Sequence, residues 1–346
     1  MRPGVSFLLF CLLACGWSPK PAESPISLKP IVTIDPGDGP GALASRPWVG
    51  PQLPDGSWAV IVQNGDLPYL YDSRGRFMHQ LGHSSGPGEY EHPTTAIRSG
   101  DSLIVFDLTL RRATVVEGDT FVRSFPLPET VWSVVRLDDG SFAFTPTRYG
   151  SVTTIGRFDS VGHALPPLAD TLPTSPRYPP TISALALAPD GTVWGSKNGG
   201  FKLVHWDLSG RLLDTLATRP LWFDERDSDW ITSPENPPRS LITGLWVDQA
   251  GHVWIVAITA DNRWAQGLGK PVKGEGGITY YPINDHDLVY DTIIEAYDPA
   301  SGQGLASYRT DEGLMYVAEP GVVVSVFQDD EGWYGAKIWK VELQKR

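Results

Sequence analysis

The feature that most constrains the fold of this chain is a pair of Asp/Gly turns separated by short apolar runs. In residues 188–213, APDGTVWGSKNGGFKLVHWDLSGRLL, one turn begins at Asp190 and the next at Asp207, with apolar runs between and after them. Short runs bounded by Asp and Gly are typical of β-strands joined by tight turns. This stretch therefore predicts a small antiparallel sheet.

The same arrangement of runs and turns occurs in six units along the chain. Each of the first five units predicts about four strands, whereas the last predicts three. The units are residues 52–82, 96–127, 134–165, 188–213, 244–258 continued by 290–308, and 314–343. Internal repeats of four short strands are typical of the blades of a β-propeller. The sequence thus predicts an all-β, six-bladed β-propeller of four-stranded blades over residues 28–346.

The N-terminal segment can supply the strand that the last unit lacks. Residues 28–43, LKPIVTIDPGDGPGAL, align with residues 75–90 when shifted by 47, and both segments place Gly-Pro-Gly after an apolar strand. The later segment is interpreted as the outermost strand of the first blade and its exit loop. Residues 28–35 are therefore predicted to form the outermost strand of blade six, where they close the ring and cover an exposed edge.

Composition agrees with many strands and excludes one class of partner. The chain contains 36 Gly and 31 Pro residues, spread along its length rather than gathered in one tract. Its formal net charge is −12, and it has no Lys- or Arg-rich segment. Binding to nucleic acid depends on such basic segments, so no nucleic-acid partner is expected.

The N-terminus predicts export. Arg2 precedes the apolar run VSFLLFCLLAC, residues 5–15, which is too short to span a bilayer as a helix. A short apolar run behind a positive charge is typical of a signal peptide, which is predicted here over residues 1–14. Residues 15–27 are predicted to be an extended tether that contains several prolines.

The end of this run suggests how the protein is held at the membrane. Residues 12–15, LLAC, resemble the lipobox of bacterial lipoproteins. The resemblance implies that Cys15 is acylated and becomes the first residue of the mature chain. The protein is then expected in the bacterial cell envelope, at the outer membrane, in contact with the bilayer through its lipid only. An ordinary secretory signal with an incidental Cys is the alternative.

A loop in the first repeat resembles a known family signature. Gly86-Pro87-Gly88-Glu89-Tyr90 is similar to the G-P-G-E-F signature of bacterial six-bladed propellers related to the NHL-repeat group, with His83 where the signature often has Arg. Residues 290–295, YDTIIE, are similar to a strand of lipid-anchored members. The resemblance implies the fold and assigns no activity.

Repeated residues are interpreted as structural. An Asp that precedes a Gly-containing turn caps the backbone of that turn. A Trp that follows such a turn on a second strand is expected to pack between blades. The two sets are Asp72, Asp159, Asp207 and Asp298, and Trp58, Trp194 and Trp254. Strings at residues 82–86 and 100–103 resemble esterase motifs but lie in predicted loops and turns without the strand-to-helix context of those enzymes, so no catalytic residue is assigned.

Two insertions interrupt the repeats and contain the candidate ligand-binding residues. They span residues 219–240 and 260–291, and the candidates are Trp222, Trp230, Trp264, Tyr280, Tyr281, Asp285 and His286. Aromatic side chains can stack on sugars or peptides. The alternative is that these aromatics only attach solvated loops to the propeller. A metal site among the carboxylates of residues 224–229 lacks a recognisable ligand spacing, so no metal or other cofactor is predicted.

The positions of the insertions predict that they meet. One follows the outer strand of blade four, and the other follows the second strand of blade five. In an antiparallel four-stranded blade, these two connections emerge on the same face. Loops on one face of a repeat fold often form its binding surface.

The predicted function is a lipid-anchored binding or protein-interaction module for an unidentified protein, peptide or glycan. The alternative is an enzyme of the lactonase or lyase type, with a metal in the central channel held by residues from several blades. Two predicted inner strands, TISALALAPDG and LITGLWVDQAG, are apolar in their middles and contain few carboxylates. This composition favours a binding module over an enzyme.

Overall fold

The computed structural model describes residues 25–37, 39–62, 67–82, 89–146, 155–169, 182–197, 200–216, 220–224, 231–274, 277, 279–313 and 315–344. The predicted signal peptide, Cys15 and most of the predicted tether lie outside these ranges. The same is true of Trp230 and of Gly86-Pro87-Gly88 in the family signature.

The described residues form six four-stranded antiparallel sheets, which are the blades. Blade one contains β2 (Pro47–Gln52), β3 (Trp58–Val62), β4 (Tyr69–Tyr71) and β5 (Phe77–Gln80). Blade two contains β6 (Pro93–Ser99), β7 (Ser102–Asp107), β8 (Arg112–Glu117) and β9 (Thr120–Pro126). Blade three contains β10 (Val131–Arg136), β11 (Phe142–Pro146), β12 (Ile155–Phe158) and β13 (Ala164–Ala169). Blade four contains β14 (Ile182–Leu187), β15 (Val193–Lys197), β16 (Leu203–Trp206) and β17 (Leu212–Leu216). Blade five contains β18 (Leu241–Val247), β19 (Val253–Ala260), β22 (Tyr290–Asp298) and β23 (Gln303–Thr310). Blade six contains β24 (Tyr316–Glu319), β25 (Val322–Gln328), β26 (Tyr334–Leu343) and β1 (Ile26–Ile34).

The first strand of each blade lies at the centre of a closed ring. Neighbouring inner strands contact one another in the order β2, β6, β10, β14, β18 and β24, and β24 contacts β2 again. The prediction of an all-β, six-bladed propeller is therefore confirmed.

The N-terminal strand closes the ring as predicted. β1 pairs with β26 as the outermost strand of blade six, with Ile26 opposite Leu343 and Ile34 opposite Ala336. The strand begins at Ile26, two residues before the predicted boundary of the propeller. Ile26 is 2% exposed and belongs to the apolar cluster between blades five and six, which explains why the strand extends this far.

The core lies between adjacent blades, because each sheet packs both of its faces against neighbours. Second strands are consequently rich in buried residues, and all five residues of β3 are buried and apolar. Trp58, Trp194 and Trp254 are buried on second strands, which confirms their interpretation as core residues. Outer strands such as β5 alternate between half-buried and exposed residues.

The repeated Asp residues cap turns, as the sequence predicted. Asp207 Oδ1 accepts hydrogen bonds from the backbone N–H groups of Ser209 and Arg211, at 2.9 and 3.0 Å. Gly210 completes this turn with φ of +86°, a conformation that favours glycine. The turns that begin at Asp72, Asp159 and Asp298 contain equivalent Asp-to-backbone hydrogen bonds.

The described end of the family signature is structural. Arg112 pairs with the Glu89 carboxylate at 3.6 Å. Tyr90 is 4% exposed and packs in the apolar cluster between blades one and two. Glu89 and Tyr90 therefore contact blade two.

Helical structure in the described ranges is confined to the second insertion. It consists of a 3-10 turn, Trp264–Gly267, and the single-turn helix α1, His286–Val289. The same insertion contains a small hairpin of β20 (Val272–Lys273) and β21 (Thr279–Tyr280). Within the residues described, no helix is long and apolar enough to cross a membrane.

Candidate functional site on the insertion face

The two insertions meet on one face of the ring. Residues 217–240 connect β17 to β18, and residues 261–289 connect β19 to β22. The alternating strand directions place both connections on the same side, here called the insertion face. The backbone N–H of Tyr281 donates a hydrogen bond to the Ile231 carbonyl at 2.8 Å, so the predicted contact between the insertions is confirmed.

Trp222 attaches the first insertion to the ring. Its ring makes an edge contact with Phe201, with 6.0 Å between centroids. Its indole Nε1 donates a hydrogen bond to Glu295 Oε1 at 2.9 Å. Glu295 is 8% exposed and also accepts hydrogen bonds from Ser307 Oγ, at 2.9 Å, and from the Tyr297 hydroxyl. This geometry directs the polar edge of Trp222 into blade five and away from solvent.

The aromatic residues of the second insertion form a separate group. Trp264 and Tyr281 are half-buried and pack on an apolar cluster that includes Ile231 and Val289. Tyr280 is half-buried on the small hairpin. Trp222 belongs to a different cluster, between blades four and five. The described candidate aromatics thus share a face, but Trp222 packs in a different cluster from Trp264 and Tyr281.

The polar candidates lie where the second insertion returns to the ring. Asp285 caps α1 by accepting hydrogen bonds from the backbone N–H groups of Asp287 and Leu288, at 3.0 and 3.1 Å. The His286 ring stacks on Tyr290 with 6.5 Å between centroids. Loss of hydration, and then the positive charge of Arg46, lower the pKa of His286. Arg46 precedes the inner strand of blade one, so His286 lies within electrostatic range of a residue outside its own blade.

Three carboxylates converge at the base of the second insertion. Oxygen atoms of Asp261, Asp291 and Asp311 lie within 4.8 Å of one another. Arg263 binds both oxygens of Asp261 at 3.0 Å, and the Arg309 guanidinium binds Asp291 Oδ2 at 2.5 Å. A divalent cation would have to compete with these two guanidinium groups. The three aspartates are therefore not assigned as metal ligands.

Sequence reasoning missed this cluster because its members are distant along the chain. Asp261 follows β19, Asp291 lies in β22, and Asp311 follows β23. Only the pairing of these three strands within blade five brings the carboxylates together. The one available signal was their position at equivalent ends of strands, which requires the blade assignment first.

Two exposed apolar residues on the insertion face were also missed. Trp132 is 61% exposed at the start of the inner strand β10, where the strand register shifts between Val131 and Ser133. It therefore lies at the insertion-face end of the central channel. Leu221, next to Trp222, is fully exposed. An exposed Trp is a more accessible surface for stacking than the candidate aromatics that pack in the two clusters.

The wall of the channel contains few groups for catalysis. Among the six inner strands, Glu319 is the only acidic residue, and none of these strands contains His. Burial raises the pKa of Glu319, and Arg98 opposes this effect. Asp55, Asp139 and Asp190, in the turns at the other end of the channel, cap those turns.

Comparison with known proteins supports the fold and supplies no function. No protein-family model and no curated protein matches this chain. A Bacteroides vulgatus structure of the DUF4221 family has a TM-score of 0.56 at 10% identity, covering 92% of this chain and 99% of that one. A presumed exported protein of Bacteroides fragilis has a TM-score of 0.54 at 10% identity, covering 92% and 96%. A Bacteroides thetaiotaomicron protein of unknown function has a TM-score of 0.52 at 10% identity, covering 92% and 76%.

Proposed function

We propose that this protein is an exported, lipid-anchored β-propeller of the bacterial cell envelope that acts as a binding or protein-interaction module through its insertion face. The observation that carries the proposal is the contact between the two insertions, made by the Tyr281–Ile231 hydrogen bond. Two segments that are absent from the other repeats form a joint surface beside the channel. Loops held on a rigid scaffold are where binding residues are most often found.

Charge and composition support a binding role. The inner strands contain a single carboxylate, whereas a lactonase- or lyase-type site in the channel would need several metal ligands from different blades. Trp132 provides an exposed aromatic surface at the channel mouth, suited to a sugar ring or an apolar peptide side chain. The proposal therefore places ligand contact at Trp132 and on the exposed parts of the two insertions.

A binding screen with matched variants tests the proposed surface. Full-length protein in detergent micelles would be applied to a glycan array and a peptide library. For any hit, Trp132→Ala should weaken binding by about 2 kcal/mol, about thirtyfold in Kd, as expected for an aromatic anchor. Leu212→Ala is the control, because Leu212 is 56% exposed but lies on the outer strand of blade four. Hits that respond to Leu212→Ala and not to Trp132→Ala would place binding elsewhere.

The anchor is tested separately. If Cys15 is acylated, Cys15→Ser should release the protein from the membrane fraction or block its maturation, because the lipid is the only proposed membrane contact. Fractionation followed by mass spectrometry of the N-terminus measures both outcomes. Unchanged membrane association of the Cys15→Ser variant would refute lipid anchoring.

A further inference from the structure

The two ends of the second insertion are joined by a pair of buried carboxyl groups. Asp261 is the first residue after β19, and Asp291 is near the start of β22. The backbone N–H of Asp261 donates a hydrogen bond to the Val289 carbonyl at 3.0 Å, so the two ends lie side by side. Both aspartates are 5% exposed. The contact between them therefore closes the base of the insertion.

The hydrogen bonds of this pair are unequal. Both oxygens of Asp261 are bound by Arg263, and Asp291 Oδ2 is bound by Arg309. Asp291 Oδ1 is buried and has no hydrogen-bond donor within reach. A buried acceptor without a donor is unfavourable, and so are two ionised carboxylates in contact. One proton on Asp291 removes both problems, because the Asp261 carboxylate lies beside it, within 4.8 Å, as an acceptor.

The charges around the pair favour a proton over a metal ion. Three carboxylates, of Asp261, Asp291 and the exposed Asp311, face two guanidinium groups, of Arg263 and Arg309. A single proton makes this group neutral, whereas a divalent cation would leave it with a positive charge.

His286 and Asp287 also titrate near the base of the insertion, because α1 directly precedes β22 and Asp291, but they face other charges. Asp285, His286 and Asp287 lie in or next to α1. The charged groups that act on them are Arg46, Glu312 and Lys337. They can therefore be tested independently of the pair.

We propose that Asp261 and Asp291 form a proton-sharing clamp that holds the two ends of the second insertion together and loosens when the shared proton is lost. The clamp makes the attachment of the insertion face sensitive to pH, while the ring beneath it is held by strand pairing. It does not depend on the identity of any ligand.

The direction of the pH effect follows from the shift at each carboxyl group. Hydrogen bonds from Arg263 lower the pKa of Asp261 to about 2, so this group stays ionised except in strong acid. Burial raises the pKa of Asp291, Arg309 opposes this, and the neighbouring charge of Asp261 raises it further. A raised pKa means that Asp291 binds its proton more tightly in the closed insertion than in the open one. The clamp is therefore strongest below the ordinary pKa of Asp, where the proton is fully bound. It weakens as the pH rises from there through the raised pKa of Asp291.

Hydrogen exchange of the full-length protein measures the effect. Amides of residues 261–290 would be followed between about pH 4 and pH 8, corrected for the intrinsic pH dependence of exchange. In the wild type, the equilibrium constant for opening of the insertion should increase by up to about tenfold per pH unit, over the pH range in which the pair loses its proton. In Asp291→Asn, the amide donates to Asp261 at every pH, so protection should stay high and lose this dependence. Strand amides of blade two report whether the ring remains folded.

Asp287→Asn is the matched control, because burial also raises the pKa of Asp287 but this residue is not part of the pair. This variant removes only the contribution of Asp287 itself and should retain the pH dependence that comes from the Asp261–Asp291 pair. Three results would overturn the proposal: loss of the dependence in Asp287→Asn, an unchanged dependence in Asp291→Asn, or protection of the wild type that rises at neutral pH when Ca²⁺ alone is added. The last result would mean that a cation fills the pair.

Discussion

The two faces of the ring are built by different rules. On the face opposite the insertions, Asp55, Asp139, Asp190 and Asp248 cap turns between first and second strands with nearly the same hydrogen bonds, at 2.9–3.1 Å. On the insertion face, contacts such as those of Trp222 and Asp291 occur once. Repetition indicates a geometric requirement shared by the blades, whereas a unique contact indicates a property of this chain alone. The face opposite the insertions, here called the turn face, should therefore control stability. The insertion face should control recognition.

The largest expected effect comes from opening the ring. Deleting residues 28–35 removes most of β1, exposes the edge of β26 and takes Val32 and Ile34 out of the apolar cluster between blades six and one. Because every blade contacts two others, we expect loss of the cooperative thermal transition or a large fall in Tm. Deleting residues 16–24 is the control and should leave Tm unchanged. If both deletions had the same small effect, β1 would not be a closing strand.

A smaller effect is expected on the turn face, from Gly210→Ala. A Cβ at this position would lie 2.6 Å from the Leu168 carbonyl oxygen, and φ is +86°. We expect a loss of about 3 kcal/mol in the free energy of unfolding, from backbone strain and the close approach together. Gly251→Ala is matched, because its φ is +84° but no atom lies within 4 Å of its Cβ. This control should cost about 1 kcal/mol, and chemical denaturation measures the difference between the two variants.

On the insertion face, Trp222→Phe tests a partly buried contact that occurs once. The substitution keeps most of the aromatic packing but removes the donor to Glu295, leaving a buried carboxylate oxygen with one partner fewer. We expect a cost of about 1–3 kcal/mol, measured by denaturant unfolding. Trp222→Phe combined with Glu295→Gln should cost less than the sum of the two single changes. Strict additivity would show that the two side chains are not coupled.

The smallest effect on stability is expected from Trp132→Ala. Because Trp132 is 61% exposed, its removal should change the free energy of unfolding by less than about 0.5 kcal/mol. The comparison between the faces predicts that this variant loses ligand binding without losing stability. A large fall in Tm would instead make Trp132 part of the core.

Local chemistry explains how much of the fold could be predicted. An Asp/Gly turn such as that of Asp207 and Gly210 depends on residues within four positions, so its meaning is visible in the sequence. The missing strand of the last repeat was also evident, because the repeats provide an internal standard of four strands per blade. The N-terminal boundary at Ile26 was not predicted, since it depends on burial against other blades.

The site was less predictable because its contacts are long-range. Sequence reasoning correctly predicted that the insertions meet, since strand direction alone determines this. It did not predict that Trp222 binds a carboxylate 73 residues away, or that Asp261 and Asp291 lie together. It also did not predict the exposure of Trp132, because exposure depends on how neighbouring parts of the chain pack around it.

The closing strand also determines when the fold can form. Ile26 pairs with Leu343, so the first strand of the propeller has no partner until β26 has been synthesised. Blades one to five can assemble in order, but the ring remains open until β26 is available. The ring of blades therefore stays open during synthesis. The delay agrees with the proposed export, because an unclosed chain can cross a membrane as an extended polypeptide and close on the far side.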